Sequence, residues 1–205
     1  MIKNRSEGII ALGGNLPFGN GSPESESDEF RISERQYQPE ATFVHAIASM
    51  AAEGLTIRAV SRFFRTPCFP AGAGPDYVNA AVRFSSDLSA PDVLTILHRV
   101  ENKFGRQRAQ RWGMRTLDLD LIALGDQVLP DTAAYEEWRA LPPDSQVKAV
   151  PDRLILPHPR LQDRGFVLVP AADVAPDWVH PVLKRSIRSL LADLSREEIA
   201  EIRPL

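Results

Sequence analysis

Two aspartates separated by one leucine, in Leu117-Asp118-Leu119-Asp120-Leu121, are the residues best placed to do chemistry. Side chains alternate along a strand, so both carboxylates project from one face, about 7 Å apart, while the leucines face a core. Two ionised carboxylates on a central strand repel each other and are costly to desolvate. A hard divalent cation answers both difficulties, and an oxygen-only donor set favours Mg²⁺ over zinc. For so short a motif, the plain alternative is a pair of solvated aspartates. The residues just upstream, Gly105 to Arg115, place Arg106, Arg108, Arg111 and Arg115 around Trp112. Guanidinium forks match phosphate oxygens, so a metal–triphosphate complex would satisfy acids and bases together. Internal Arg–Asp bridges are the bland alternative. Trp112 could be core or a flat surface for a ring, and its basic, glycine-bounded loop favours the second. Gly105 and Gly113 flank that loop, which has little apolar content to hold it down, so it is expected to move.

A second cluster holds His158, Arg160 and Arg164, in Pro157-His158-Pro159-Arg160 and Arg164-Gly165-Phe166. They add cations or donors, although a histidine between prolines is as readily structural. Tyr77 and Asn79 lie two apart on one strand face. An Asn amide suits the edge of a nitrogen heterocycle, yet on the residues alone ordinary cross-strand pairing is the preferred reading. Cys68 has no histidine near it in sequence and reads as structural. His45, His98 and His180 lack zinc-ligand spacing. No Walker or dinucleotide loop is present, Leu12-Gly13-Gly14-Asn15-Leu16 being too short.

The elements that must position these residues follow from periodicity. Gly8 to Leu12 predicts a buried strand ending at a Gly-Gly turn. Phe43, Ile47 and Met50 predict a helix stopped at Gly54. Leu55 to Phe64 and Tyr77 to Phe84 predict strands around a proline-rich loop. Ser89-Ala90-Pro91-Asp92 opens a helix whose apolar stripe is Val93, Leu97, Val100 and Phe104. Leu117 to Leu124 predicts the strand with the aspartates. An amphipathic helix over 187–194 and a box-capped turn at Ser195-x-x-Glu198 close the chain. The order strand, helix, strand, strand, helix, strand predicts an α+β, ferredoxin-like split β-α-β sandwich with helices packed on the sheet. The 205 residues are expected to form a single domain with two irregular, flexible insertions at 17–40 and 126–153.

Composition bounds the partners. A net charge of −3 gives no global attraction to nucleic acid or an anionic membrane, so anion binding must be local. One cysteine permits no internal disulfide, which fits a reducing compartment. No secretory h-region or membrane-length apolar run is seen. A cytoplasmic monomer without nucleic-acid or membrane partners is expected.

The assembled motifs resemble the 6-hydroxymethyl-7,8-dihydropterin pyrophosphokinase family of folate biosynthesis. The resemblance rests on Arg111-Trp112-Gly113-Met114-Arg115-Thr116-Leu117-Asp118-Leu119-Asp120, together with Leu12-Gly13-Gly14-Asn15-Leu16. It extends through Arg65-Thr66-Pro67, Pro75-Asp76-Tyr77-Val78-Asn79, Pro157-His158-Pro159-Arg160 and Arg164-Gly165-Phe166-Val167-Leu168. It implies an ATP- and Mg-dependent diphosphokinase that passes the β,γ-pyrophosphoryl group of ATP to the pterin hydroxymethyl, leaving AMP. On that likeness Asp118 and Asp120 would bind two Mg²⁺ ions. Arg106, Arg108 and Arg115 would act in catalysis, and Arg111, Arg115, His158, Arg160 and Arg164 would hold ATP. Thr66, Pro67, Tyr77, Asn79, Trp112 and Phe166 would form the pterin pocket. Departures are Gly14 in place of the family's Ser, expected to cost little, Met114 in place of Pro, and an arginine loop about one residue short. An RNA-binding module and a non-catalytic scaffold are the rival readings. The acidic total and the missing RNP-type aromatics count against the first, and the retained aspartates, Arg115 and Asn79 against the second.

Overall fold

The unbroken apolar run of residues 8–12 lies in the middle of the first strand, β1 (Ser6–Gly14), and is buried from both sides. A computed structural model describes residues 5–18, 38–68, 72, 74–105, 115–142, 145 and 151–205. In it β1 pairs antiparallel with β4 (Tyr77–Ser86) on one side and with β5 (Asp118–Leu124) on the other. Helix α1 (Pro39–Ala52), strands β2 (Thr56–Val60) and β3 (Phe64–Thr66), and helix α2 (Ala90–Lys103) complete the first part of the fold. Helices α3 (Thr132–Ala140), α4 (Gly165–Val174), α5 (Ile187–Leu191) and α6 (Arg196–Ala200) and the short strand β6 (Arg203–Pro204) follow. The sheet order is β5-β1-β4-β3-β6, with β2 pairing the other end of β4. This is the α+β, ferredoxin-like arrangement that the element order predicts. No helix among the described residues is long and apolar enough to cross a membrane.

Strand alternation divides the interior in two. Ile10, Leu12, Val78, Ala80, Val82, Leu119 and Leu121 turn toward α1 and α2, meeting Phe43, Met50, Val93, Leu97 and Val100. Ile9, Ala11, Ala81 and Ile122 turn the other way and meet Val167, Leu168 and Ala171 of α4. The apolar stripe forecast for α2 is the face that packs, and Ser89 caps it by accepting the Asp92 N–H. Residues 195–198 likewise form the expected capping box.

Three expectations need correction, and one helix lies beyond them. The strand forecast over 55–64 is two strands, because Ser61 interrupts it. The Ser61 N–H donates to the Ala81 carbonyl at 2.9 Å, and its hydroxyl accepts the Ala81 N–H at 2.8 Å. A side chain there stands in for a backbone rung, which residue-type preference cannot reveal. The aspartate strand β5 is at the end of the sheet order, not central. Its outer edge is met by the His158 N–H, which donates to the Ile122 carbonyl at 2.8 Å. The 126–153 segment is not irregular throughout, since Asp131 caps the regular helix α3. Helix α4 carries no amphipathic period, because its sequence is apolar almost throughout. Of the 17–40 insertion, residues 19–37 lie outside the described residues.

Helix α3 is locked in place by a buried polar contact. Tyr135 and His180 are both fully buried, with the tyrosine hydroxyl 2.9 Å from His180 Nε2. His180 Nδ1 accepts the N–H groups of Val182 and Leu183, so Nε2 carries the proton and donates to Tyr135. Burial, reinforced by Arg139, pulls the His180 imidazole down to about 4. The unfolded chain therefore takes up a proton below about pH 6.5 that the folded chain refuses. Stability should fall as pH drops from about 6.5 toward about 4, by on the order of 3 kcal/mol from this residue. Denaturant titrations of wild type and His180→Gln across that window should show a flatter profile in the variant.

Candidate active site

The register of β1 sets the frame. Gly13 stands opposite Asp118 of β5 on one side and Asn79 of β4 on the other. Strands are spaced about 4.8 Å apart, so the backbones of Asp118 and Asn79 are roughly 10 Å apart across the sheet. Gly13 leaves the floor between them bare, and a Cβ there would stand 3.5 Å from Asn79 Oδ1. Asn79 is buried, its Nδ2 donating to Thr66 Oγ1 at 2.8 Å. Thr66 is in turn opposite Tyr77. These side chains share the face of Ile9, Ala81 and Ile122, at the end of the sheet beyond the α4 core.

Both aspartates are partly exposed, whereas Leu117, Leu119 and Leu121 are buried, as alternation requires. Arg115 Nη1 lies 2.5 Å from Asp118 Oδ2, both side chains being about one-fifth exposed. Burial lowers the Arg164 guanidinium from its usual value, with Arg160 acting the same way and Asp120 and Asp118 opposing them. Arg164 is thus held within electrostatic reach of both carboxylates. Its Cζ stands 5.6 Å from the ring centre of Phe166, an exposed aromatic in the first turn of α4. His158 is pushed down to about 3, chiefly by burial and then by Arg164 and Arg160. It is therefore neutral near pH 7, and because Nδ1 accepts the Arg160 N–H at 3.1 Å, its Nε2 bears the proton. A cationic role for His158 gives way to that of a neutral donor. Arg160 Nε lies 3.3 Å from Asp163. Burial raises the Tyr77 hydroxyl, and Cys68, Arg115 and Asp118 also act on it.

The fold thus gathers Asp118, Asp120, Arg115, His158, Arg160, Arg164, Thr66, Tyr77 and Asn79, with Phe166 at the margin and Pro67 exposed beside Thr66. Arg106, Arg108, Arg111 and Trp112 lie outside the described residues. Among described residues no three His, Cys, Asp or Glu side chains cluster as a metal cage. Two carboxylates on one face suit Mg²⁺, which keeps waters and takes substrate phosphates as its other ligands.

The sequence reading missed Glu101. It is fully buried on α2, and its Oε1 accepts the N–H of Leu119, the residue between the two aspartates, at 2.8 Å. The signal was present: position 101 follows Leu97 by four, so a carboxylate occupies the apolar stripe.

The open ferredoxin-like sheet thus ends in carboxylates, guanidinium groups and a buried amide, a donor set suited to a metal–phosphate complex beside a polar ring edge. The family model for 7,8-dihydro-6-hydroxymethylpterin-pyrophosphokinase matches residues 9–176. The chain belongs to this family, whose reaction transfers pyrophosphate from ATP to hydroxymethyldihydropterin in folate biosynthesis. A 2-amino-4-hydroxy-6-hydroxymethyldihydropteridine pyrophosphokinase of Synechocystis is 37% identical over 160 residues, covering 78% of this chain and 71% of that one. The enzymes of the same name from Haemophilus influenzae and Methylorubrum extorquens are 34% and 30% identical, over 59% and 79% of this chain and 63% and 89% of their own. The Plasmodium falciparum HPPK-DHPS structure superposes on 92% of this chain with a TM-score of 0.57 at 13% identity. This chain spans only 44% of that one, and the likeness bears on the fold alone.

Gly14, where the family commonly has serine, is not a neutral departure here. A Cβ at this position would stand 2.7 Å from the Thr116 carbonyl oxygen and 3.4 Å from the Phe43 ring. The bare backbone lets the segment before β5 close on β1. Gly14→Ser should cost about 1–3 kcal/mol of stability, read from urea denaturation.

Proposed function

We propose that this chain binds ATP at the carboxylate end of the sheet and passes the β,γ-pyrophosphoryl group to the hydroxymethyl of a dihydropterin held beside Asn79, releasing AMP. The observation that carries this reading is the row Asp118, Gly13, Asn79, which sets carboxylate and amide about two strand spacings apart over a bare floor. That span matches a bicyclic ring whose reactive arm reaches back toward the phosphates.

Such transfer needs positioning and charge neutralisation more than covalent catalysis. Asp118 and Asp120 would hold two Mg²⁺ ions, which when bound neutralise phosphate charge and acidify the attacking hydroxyl, so that no dedicated protein base is needed. Arg115 now compensates Asp118 and can exchange that carboxylate for phosphate oxygens. Arg160 and Arg164 supply further guanidinium donors, and the neutral His158 offers its Nε2–H. Arg106, Arg108 and Arg111 would neutralise the phosphate chain, with Arg106, Arg108 and Arg115 acting on the transferred group. Asn79 would read the pterin edge with Tyr77 alongside and Thr66 and Pro67 lining the pocket. Phe166, exposed and under a guanidinium, would stack on the ring, and Trp112 would close over it. We further propose one domain with insertions at 17–40 and 126–153, working as a cytoplasmic monomer without nucleic-acid or membrane partners. The modest net charge and the single cysteine support that setting.

Pure protein with Mg²⁺, ATP and 6-hydroxymethyl-7,8-dihydropterin should release AMP only when the pterin is present. ADP would overturn pyrophosphoryl transfer, and no nucleotide product would overturn catalysis altogether. Asp120→Ala should lower kcat by roughly 10³, with pterin affinity within about threefold of wild type. Unchanged turnover would remove the metal assignment.

A further inference from the structure

The reading above leaves Asn15 without a task. It follows the last paired residues of β1: pairing with β5 ends at Gly13↔Asp118, and pairing with β4 at Gly14↔Val78. Asn15 is only 3% exposed. Its Oδ1 accepts the Arg115 N–H at 2.8 Å, and its Nδ2 donates to the Pro75 carbonyl at 3.2 Å. The backbone N–H groups of Asn15 and Leu16 both donate to the Arg115 carbonyl, at 2.9 and 3.0 Å. One side chain therefore joins segments 60 and 100 residues away in sequence.

Both partners are one step from the site. Pro75 is two residues before Tyr77 and four before Asn79, on the pterin side. Arg115 pairs directly with Asp118, on the phosphate side. The chemistry of the contact is specific. An N–H needs an acceptor and a carbonyl needs a donor, both at once, and the asparagine amide supplies them from two separate atoms, one toward each partner. Aspartate would keep the acceptor but set a second oxygen against the Pro75 carbonyl. Alanine would leave both groups unmet.

We infer that Asn15 is a positioning residue that fixes the spacing between the two substrate half-sites, by carrying the β1 ladder one residue beyond its backbone end. This rests on the pyrophosphoryl-transfer reading, since it is that reaction which requires hydroxyl and phosphate to meet. The asymmetry of the amide sets the expected pattern. Asn15→Asp disturbs the Pro75 side alone, and Asn15→Ala disturbs both.

The test is steady-state kinetics with each substrate varied, alongside thermal unfolding and direct titration of the pterin into protein without ATP. Asn15→Asp should raise KM for the pterin at least tenfold, with KM for ATP within twofold, in a variant that still unfolds cooperatively. Asn15→Ala should in addition lower kcat about a hundredfold. Kinetic constants within twofold of wild type in a folded Asn15→Asp would overturn the inference. So would equal changes toward both substrates with a lowered unfolding temperature, the signature of a merely structural residue. If the alanine variant does not fold, the aspartate variant carries the test. Absence of AMP from wild type would sink the functional reading, while weakened pterin titration in Asn15→Asp would still support the spacing role.

Discussion

The antiparallel ladder on both sides of β1 is the constraint on which this molecule rests. A strand paired on each edge and packed on each face has no freedom of register, since a shift of one residue would carry Ile10 and Leu12 out of one core and Ile9 and Ala11 out of the other. The same lock that buries those side chains aligns Gly13 with Asp118 and Asn79. Site geometry is thus a by-product of core packing. The residues with chemistry to do need no separate scaffold, only the polar end of rows whose other end is apolar.

The electrostatics of that polar end are set to receive an anion with its cations. Arg115 and Asp118 balance each other directly, while burial lowers the Arg164 guanidinium and both carboxylates oppose that shift. His158, crowded by guanidinium groups and enclosed, stays neutral. Arginine tolerates such surroundings because its pKa starts so high, whereas an imidazole does not. The wall therefore combines permanent cations with one neutral donor. Support from behind is equally specific. The Glu101 carboxylate, brought by α2, grips the backbone between the two aspartates, so the helix that closes one core also steadies the carboxylates on the opposite face of the strand.

Segments added to the basic fold are tied to it by individual polar contacts. Helix α3 is held by the Tyr135–His180 hydrogen bond, and the chain beyond it returns along the outer edge of β5 through His158. That return brings His158, Arg160 and Arg164 to the aspartates from a part of the chain that follows the sheet.

The sequence alone determined the fold class and most of the site's composition. Alternation in Leu117-Asp118-Leu119-Asp120-Leu121, the capped stripe of α2 and the order of the elements are local patterns with a single good solution. The long motifs named the family. Other features were out of reach because their causes lie far along the chain. Ser61 breaks a strand because Ala81 is its partner, and β5 lies at an edge because of pairings elsewhere. Helix α4 forms without an amphipathic signature because its residues are apolar almost throughout, so only its packing shows which face is inward. Glu101 and Asn15 sit in plain view, but a buried polar residue acquires its meaning only from the groups it meets. Those groups are 18, 60 and 100 residues away, and it is tertiary folding that brings them within hydrogen-bond distance.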